Sequence, residues 1–329
     1  MMMRNEAAYK NIIKILKDSE DIYIFPHILP DGDAIGSSTA LCRALIKLGK
    51  NPTILVEDGI PKYLEFLVSG IEENIKEVQD VLEKIKDTTI CIAIDSSDED
   101  RMGSRLSAYK KGCTINIDHH YTNNLFAEHN YVDDGAGATG EIILSMIKSL
   151  DVAIDKEIGE AIYTAISTDT GSFKYTNTTS KTHIIAAELL DLGIDLNAIS
   201  IELYQNTRLE KITLQKRVLE TLTTFHHGQA AYACVTMEMM EEIQATVDET
   251  EGLIEMLRDI EGVEVAIIFK ELEKNNIKVG LRAKKYFDVS KVAMDFNGGG
   301  HVKAAGCTIY DTLENAIEAI CKSVVKYFE

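Results

Sequence analysis

The stretch Thr114-Ile115-Asn116-Ile117-Asp118-His119-His120 joins an apolar run, typical of a buried strand, to three residues that are costly to bury without partners. One acid and two imidazoles therefore stand where the predicted strand ends. In open α/β sheets, ligands bind at the carboxyl ends of the strands. The stretch thus predicts a functional site at this edge, provided that further acidic or imidazole side chains reach it.

Strand and helix signals alternate around this stretch. The predicted strands are residues 22–25, 53–56, 89–94 and 114–117. The predicted helices are residues 11–17, 34–48, 74–86, 101–110, 141–150 and 156–167, with Thr139 as the expected N-cap of the fifth. This alternation favours an α/β fold with a doubly wound, mostly parallel sheet covered on both faces.

The pattern starts afresh in the last third of the chain. A long polar-faced helix is predicted over residues 209–224, followed by strands at 230–236, 263–269 and 277–283, a glycine loop, and a closing helix at 313–327. We therefore expect a first domain over residues 1–192, a helical linker over 193–225 and a smaller α/β domain over 226–329.

Composition bounds the class of protein. The chain has 329 residues, and its apolar fraction of 45% and charged fraction of 26% are ordinary for a globular protein. No apolar run approaches the roughly 20 residues of a membrane span, and residues 1–10 lack the core of a signal peptide, so we expect a cytoplasmic protein. The six cysteines include no CxxC pair and are expected to be reduced, buried thiols.

The net charge of −19 argues against binding along long nucleic acids, which depends on many phosphate contacts from lysine and arginine. It remains compatible with a small anionic ligand that metal ions and a local basic pocket hold.

Four predicted turns carry acids or histidines, and three of them directly follow predicted strands. These residues are His27, Asp31 and Asp33; Asp95; Asp118, His119 and His120; and Asp169. So many carboxylates in one crevice would repel one another unless divalent cations neutralised them. Mixed His/Asp ligation favours Mn²⁺, with Mg²⁺, Fe²⁺ and Co²⁺ as alternatives, and the lack of Cys ligands argues against structural zinc.

Each residue also has an ordinary structural interpretation. A single Asp in a strand-to-helix turn, such as Asp31 or Asp33, is usually an N-cap, and Asp95 could be a cap or a ligand. A His at a strand end, such as His27, is more often a hydrogen-bonded structural residue. The joint occurrence of all four turns at compatible element ends favours a two-metal site, in which two cations roughly 3.5–4 Å apart activate water and clamp phosphate oxygens.

The ordered series resembles the motifs of the DHH phosphoesterase superfamily. The motifs are the run from His27 to Ser38 (HILPDGDAIGSS), Asp95, Asp118-His119-His120 and Thr168-Asp169-Thr170-Gly171. Gly298-Gly299-Gly300-His301, with Ala304-Ala305-Gly306, is similar to the DHH-associated domain of the nanoRNase and pAp-phosphatase branch. The resemblance covers nearly the whole chain. Asn297 and Ala283 stand where that branch often has glycine and serine, which bears on the shape of the phosphate pocket.

The resemblance implies a role for each residue of the metal site. One metal would be held by His27, Asp31 and Asp95. The other would be held by Asp33, Asp95, His119 and Asp169, so that Asp95 bridges. Asp118 would orient His119, and His120 would contact phosphate or donate a proton, with a purely orienting role as the alternative.

The second domain would hold one end of the substrate, across an active-site cleft between the two domains. The residues implied are Arg282, Gly298, Gly299, Gly300 and His301. Further basic residues of this region are Lys284, Lys285, Lys291 and Lys303. Tyr286 and Phe287 could stack a base, although a core position is the favoured interpretation of both.

We therefore expect a metal-dependent phosphodiesterase or phosphatase acting on nanoRNA, linear dinucleotides such as pApA, or pAp. A soluble cyclic-dinucleotide (c-di-AMP or c-di-GMP) phosphodiesterase is the alternative. A pyrophosphatase or exopolyphosphatase, a RecJ-like exonuclease and a non-catalytic nucleotide-binding protein are less favoured. The expected partner is a short oligonucleotide or nucleotide, with no long nucleic acid and no membrane, and a homodimer stays open.

Overall fold

The computed structural model describes residues 6–57 and 59–328. Over these residues the chain divides into two compact units, and the division falls between Asn206 and Thr207. Each unit builds its apolar core around its own β-sheet.

The first unit confirms the predicted doubly wound parallel sheet. Its elements are α1 (Glu6–Asp18), β1 (Asp21–Pro26), α2 (Gly32–Lys47), β2 (Asn51–Val56), β3 (Ile75–Glu77), β4 (Ile90–Ile94), α3 (Leu106–Tyr109), β5 (Cys113–Asp118), β6 (His129–Val132), α4 (Thr139–Ser149), α5 (Lys156–Asp169), α6 (Ser180–Asp191) and α7 (Leu196–Ser200). Among the described residues, six parallel strands lie in the order β3-β2-β1-β4-β5-β6.

The apolar runs of the central strands follow from burial on both faces. In β1, Ile22 and Ile24 pack into one core, whereas Tyr23 and Phe25 pack into the core on the opposite face. Because successive side chains of a strand point to opposite faces, a strand covered on both sides needs apolar residues at every position.

The strand order reverses between β1 and β4. From β1 the chain proceeds outward through β2 and β3, and then returns to lay β4 on the other side of β1. Such a switch point leaves a crevice at the carboxyl ends of the two strands, because their following helices turn to opposite sides.

The second unit is a smaller α/β layer structure with a mixed sheet. Its elements are α8 (Leu209–Leu219), β7 (Thr223–Phe225), β8 (Ala230–Val235), α9 (Met237–Ile243), α10 (Leu253–Arg258), β9 (Val265–Glu273), β10 (Asn276–Ala283), α11 (Val289–Met294), β11 (Gly299–His301), β12 (Ala304–Ile309) and α12 (Leu313–Phe328). The strand order is β11-β12-β10-β9-β8-β7; β8 and β9 are parallel and the other neighbours antiparallel.

Two predicted helices of the first unit are wrong. Residues 74–86 form β3, a short 3₁₀ helix and turns, because Ile75 pairs with Ile54 of β2; the apolar residues after β3 have helical spacing, but they are buried within turns. The helix predicted over 101–110 is interrupted at Gly103, whose φ of +56° lies outside the helical region, so only Leu106–Tyr109 is α-helical.

Two predictions in the second unit also need correction. The long helix predicted over 209–224 ends at Leu219, and Thr223–Phe225 pairs instead with β8. The glycine loop is partly a strand, since Gly299–His301 forms the edge strand β11 against β12. In both places, hairpin pairing with the next strand of the chain overrides the local pattern.

Candidate metal centre

Three of the predicted motifs meet at the carboxyl edge of the parallel sheet. His27 directly follows β1 and Asp95 directly follows β4, the two strands of the switch point. Asp118 ends β5, and His119 is the next residue. The fourth motif arrives from a helix, because Asp169 is the last residue of α5.

His27 forms one group with two carboxylates, which we call the His27 group (His27, Asp31 and Asp95). Its Nε2 lies 3.7 Å from Asp31 Oδ1 and 3.6 Å from Asp95 Oδ2. Its Nδ1 donates to the carbonyl oxygen of Ile28 at 2.8 Å, since a carbonyl can only accept. In the neutral ring, Nε2 therefore directs a lone pair at two carboxylates, an arrangement that a cation would stabilise.

A second group surrounds His119, which we call the His119 group (Asp33, His119 and Asp169, with Asp95 shared). His119 Nε2 lies 3.8, 3.7 and 3.6 Å from carboxylate oxygens of Asp33, Asp95 and Asp169. Its Nδ1 donates to the carbonyl oxygen of Ala136 at 3.2 Å. Among the described residues, this buried Nε2 has no hydrogen-bond partner.

Asp95 is common to both groups. Its Oδ2 faces His27 and its Oδ1 faces His119, so its two oxygens point at different histidines. The residues fit a pair of divalent cations, because two imidazole nitrogens, one of them without a hydrogen-bond partner among the described residues, converge with four carboxylates. The donor set contains only oxygen and nitrogen, which suits Mn²⁺, Mg²⁺ or Fe²⁺ rather than a thiophilic ion.

The electrostatics of the carboxylates support the same interpretation. Burial, reinforced by the charges of Asp95 and Asp169, raises the pKa of Asp33 well above its ordinary value. Burial also raises the pKa of Asp169 to about 6, although His119 opposes the shift. Burial and the Asp31 charge raise the pKa of Asp95. Without a cation, these acids are reluctant to ionise together.

Asp31 differs from the other acids. Its side chain is 55% exposed, and although partial desolvation of the carboxylate disfavours the charge, His27 and the backbone amide of Ala34 lower its pKa to about 2. Its Oδ1 accepts hydrogen bonds from the backbone N–H groups of Asp33 and Ala34, which makes it the N-cap of α2. The ordinary interpretation of Asp31 as a helix cap is confirmed, and the same carboxylate also faces His27.

The amino end of α4 fixes two of the carboxylates. The backbone N–H groups of Thr139 and Gly140 donate to Asp33 at 2.7 and 3.0 Å. The Thr139 hydroxyl donates to Asp95 Oδ1 at 2.9 Å. The predicted N-cap role of Thr139 is wrong, because Ala138 is the N-cap and the free amides of the helix bind the distant Asp33 instead.

Asp118 and His120 form a hydrogen-bonded pair beside the two groups. His120 Nδ1 lies 2.7 Å from Asp118 Oδ1, and Asn123 donates to Asp118 Oδ2 at 2.6 Å. Asp118 was expected to orient His119, but its hydrogen bond goes to His120. Burial disfavours the charged ring, yet Asp118 and Asp95 raise the pKa of His120 to about 9. The side chain of His120 is 36% exposed and so remains accessible from solvent.

Asn177 is a residue that the sequence reasoning missed. Its side-chain amide donates to Asp169 Oδ2 at 3.0 Å and also lies 2.9 Å from the carbonyl oxygen of Gly137. It therefore ties the carboxylate of Asp169 to the loop before α4. The Thr-Asn-Thr-Thr context around it carries no motif, so only the folded structure identifies it.

Replacing Asn177 with Ala is expected to weaken metal activation by about 10–100-fold, the usual effect of losing a partner that orients a ligand. The measurement is the metal concentration needed for half-maximal activity, supported by metal titration calorimetry. Asn206→Ala is the matched control, since Asn206 is exposed and its side chain donates only to Glu202 in the described structure. An unchanged metal requirement in Asn177→Ala would contradict the positioning role.

Three of the five predicted substrate-binding residues of the second unit lie on one face of its sheet, namely Arg282, Gly299 and His301. Arg282 of β10 and His301 of β11 both pair with Ala304 of β12, so the three occupy one row across the strands. The next row on the same face consists of Gly280, Gly306 and Gly299. Arg282 and His301 thus lie beside a row of three glycines, where the backbone of the sheet carries no side chains.

Other residues of this region have structural roles. Phe287 is buried in the core, as favoured, but Tyr286 is 64% exposed, which contradicts the core interpretation. Lys284 donates to the carbonyl oxygen of Ile260, and Lys303 donates to that of Phe287. Arg282 makes an ion pair with Glu255 at 3.3 Å.

The glycines of the 298–300 run are not equivalent. A Cβ at Gly298 would lie 2.2 Å from the carbonyl oxygen of Gly306. A Cβ at Gly300 would lie 2.5 Å from the carbonyl oxygen of Ala304, and the φ of Gly300 is +136°, which favours glycine. At Gly299, no atom of the described residues lies within 4 Å of such a Cβ.

These contacts predict a matched pair of variants. Gly298→Ala is expected to destabilise the protein by about 1–3 kcal/mol, since the methyl group forces β11 away from β12. It should also raise KM for a phosphorylated substrate. Gly299→Ala should change stability by less than about 0.5 kcal/mol. Thermal unfolding compares the two variants, and equal losses of stability would contradict the assigned packing.

No helix within the described part of the chain is both long enough and apolar enough to span a membrane.

Comparison with known proteins agrees with this geometry. Residues 21–166 match the model of the DHH family, N-terminal domain, and residues 227–329 match that of the DHHA1 domain. The bifunctional oligoribonuclease and PAP phosphatase NrnA of Thermus thermophilus is 35% identical over 315 residues, covering 95% of this chain and 92% of the relative. The probable enzyme of the same name from Streptococcus mutans is 29% identical, covering 94% and 96%.

A solved structure gives the same result for the fold. The crystal structure of an exopolyphosphatase-related protein from Bacteroides fragilis has a TM-score of 0.90 and 25% identity, covering 99% of this chain and 98% of that one. Together with the matched motifs and the converging His and Asp side chains, these similarities show that the chain belongs to the DHH family.

Proposed function

We propose that this protein is a divalent-metal-dependent phosphoesterase that hydrolyses short oligoribonucleotides and pAp. The observation that carries the proposal is Asp95, whose two oxygens face two separate histidines, one of them with an orphaned Nε2 among three carboxylates. The names of the similar proteins from Thermus thermophilus and Streptococcus mutans support the choice of substrate.

The two groups divide the work of holding cations. The His27 group would hold one ion and the His119 group the other, and we propose Mn²⁺ as the ion in both. Divalent ions at such sites neutralise phosphate oxygens and lower the pKa of water. The protein fixes the site through the cap at Asp31, the α4 amides on Asp33 and the Asn177 amide on Asp169.

We assign proton transfer to His120, with Asp118 as its support. Asp118 accepts from Nδ1, so it fixes the ring orientation and favours the protonated imidazolium. The partly exposed ring can then give a proton to the oxygen that leaves phosphorus as water adds to it, which balances the hydrolysis. The Asn123 hydrogen bond to Asp118 holds the support in place.

We assign recognition of a substrate phosphate to Arg282, Gly298, Gly299, Gly300 and His301. Support comes from one sheet face, on which Arg282 and His301 flank Ala304 and Gly299 lies in the next row; Gly298 and Gly300 are the neighbours of Gly299 in the chain. Arg282 can make bidentate hydrogen bonds to phosphate, and backbone N–H groups without side chains allow close approach.

The test uses purified full-length protein with Mn²⁺, Mg²⁺ or Co²⁺ and a substrate panel. The panel contains pAp, pApA, c-di-AMP, c-di-GMP and labelled RNA of two to about twenty residues, so that hydrolysis of short RNA is distinguished from degradation of longer RNA, whose binding depends on many phosphate contacts. We expect release of mononucleotide from the shortest RNAs and of phosphate from pAp. Failure with every member would overturn the proposal, and turnover of cyclic dinucleotides alone would redirect it.

A further inference from the structure

A second group of side chains that can bind a metal lies at the amino ends of β5 and β6, opposite the carboxyl ends that carry the metal centre. Cys113 is the first residue of β5, His129 is the first residue of β6, and Glu128 directly precedes it. One ligand atom from each of the three lies within 4.8 Å of those of the other two. From Cys113 to Asp118, the length of β5 separates this edge from the metal centre by roughly 17 Å.

The backbone holds these side chains together. His129 pairs with Ile115, so Cys113 and His129 lie on the same face of the sheet, since alternate residues of β5 share a face. The N–H of Glu128 donates to the Thr114 hydroxyl at 2.9 Å, which anchors the start of β6 to the start of β5. Burial and the Glu128 carboxylate raise the pKa of the Cys113 thiol, as expected for a thiol that faces a carboxylate.

The chemistry of the three donors differs from that of the metal centre. A thiolate, a carboxylate and an imidazole are ligands that Zn²⁺ accepts in tetrahedral sites, with water as the fourth. The thiolate favours Zn²⁺ over Mn²⁺ or Mg²⁺, whereas the His27 and His119 groups contain no sulfur. Thiolate and carboxylate together carry two negative charges, which one Zn²⁺ neutralises.

We propose that Cys113, Glu128 and His129 form a zinc site that ties the edge strand β6 to β5. Strand β6 is short and lies at the end of the sheet, where it pairs with β5 alone among the described strands. A bound ion would make one bond to β5 and two to the start of β6. It would thereby stabilise the pairing of these strands at their amino ends, away from the catalytic residues.

Co²⁺ is the probe, because cobalt bound to thiolate gives a near-ultraviolet charge-transfer band that an oxygen and nitrogen site cannot give. Titration of the full-length, reduced protein should produce this band, and Zn²⁺ should then remove it by displacement. Cys113→Ser should abolish the band and leave phosphoesterase activity unchanged. Cys321→Ser, which alters the other partly exposed cysteine, should keep the band.

A site with three ligands predicts that replacing either of the other two ligands also affects the cobalt band. His129→Ala and Glu128→Gln should each shift or weaken the band. A band lost only with Cys113→Ser would mean adventitious binding to one thiol and would overturn the proposal, as would the absence of any band in the unaltered protein.

A measurement on the unaltered protein covers the case in which a variant does not fold. Zn²⁺ should slow the alkylation of Cys113 by iodoacetamide, whereas the rate at Cys321 should stay the same. Peptide mass spectrometry measures both rates. Equal rates at Cys113 with and without Zn²⁺ would exclude the site.

Discussion

Asp95→Asn is expected to reduce kcat/KM for pAp and for a diribonucleotide by about 10³-fold, because the carboxylate that both groups share loses its charge and one donor oxygen. The shape of the side chain is kept, and the remaining oxygen can still accept from the Thr139 hydroxyl. The fold should therefore persist. In metal-free protein the variant should be at least as stable as the original, since one of the mutually repelling carboxylates is gone.

Asp98→Asn is the control for this variant. Asp98 lies three residues further along the same loop, where its carboxylate caps the 3₁₀ turn by accepting from the Arg101 N–H. Asparagine caps equally well, so activity and stability should change little. Comparable losses in Asp95→Asn and Asp98→Asn would indicate a general effect on the loop and would refute the proposal that Asp95 serves both groups.

Removal of divalent metal is expected to abolish turnover and to lower thermal stability. Four carboxylates face one another across the His27 and His119 groups, and burial raises the pKa of three of them in the absence of a cation. A metal at 100 times its dissociation constant contributes about 2.7 kcal/mol. For a unit of this size, that corresponds to a rise in Tm of about 5–10 °C.

The measurement compares Tm and activity after chelation and after readdition of Mn²⁺, Mg²⁺, Fe²⁺ or Co²⁺ one at a time. Asp95→Asn serves as the reference, because it should show a much smaller metal-dependent rise in Tm. Full activity in thoroughly chelated protein would contradict the metal-dependent mechanism. The order of the metals in restoring activity tests the proposed preference for Mn²⁺.

The sequence was sufficient where local pattern and tertiary environment agree. The apolar residues 22–25 of β1 and those at every position of β4 predict strands buried on both faces, and the alternation with helices predicts the parallel sheet. His27, Asp95 and Asp118 follow directly from this, because a polar residue after such a strand must lie at its carboxyl end.

Local pattern failed where distant pairing decided the structure. Ile75 lies in an edge strand because it pairs with Ile54 of β2. Thr139 is a residue type typical of N-caps, yet its own backbone N–H donates to the carboxylate of Asp33, 106 residues away. Neither the pairing of Ile75 with β2 nor the contact of Thr139 with Asp33 can be predicted from the neighbouring residues.

By itself, then, the sequence determined the sheet, the family motifs and the residue types that gather at one edge, because periodicity and spacing act over a few residues. The tertiary structure alone decided that the two oxygens of Asp95 face different histidines, that Asp118 supports His120, and that Asn177 holds Asp169. It also brought Cys113 to Glu128 and His129. These are relations between side chains whose positions depend on which strands and helices become neighbours, and the order of the strands is fixed only when the whole sheet closes its core.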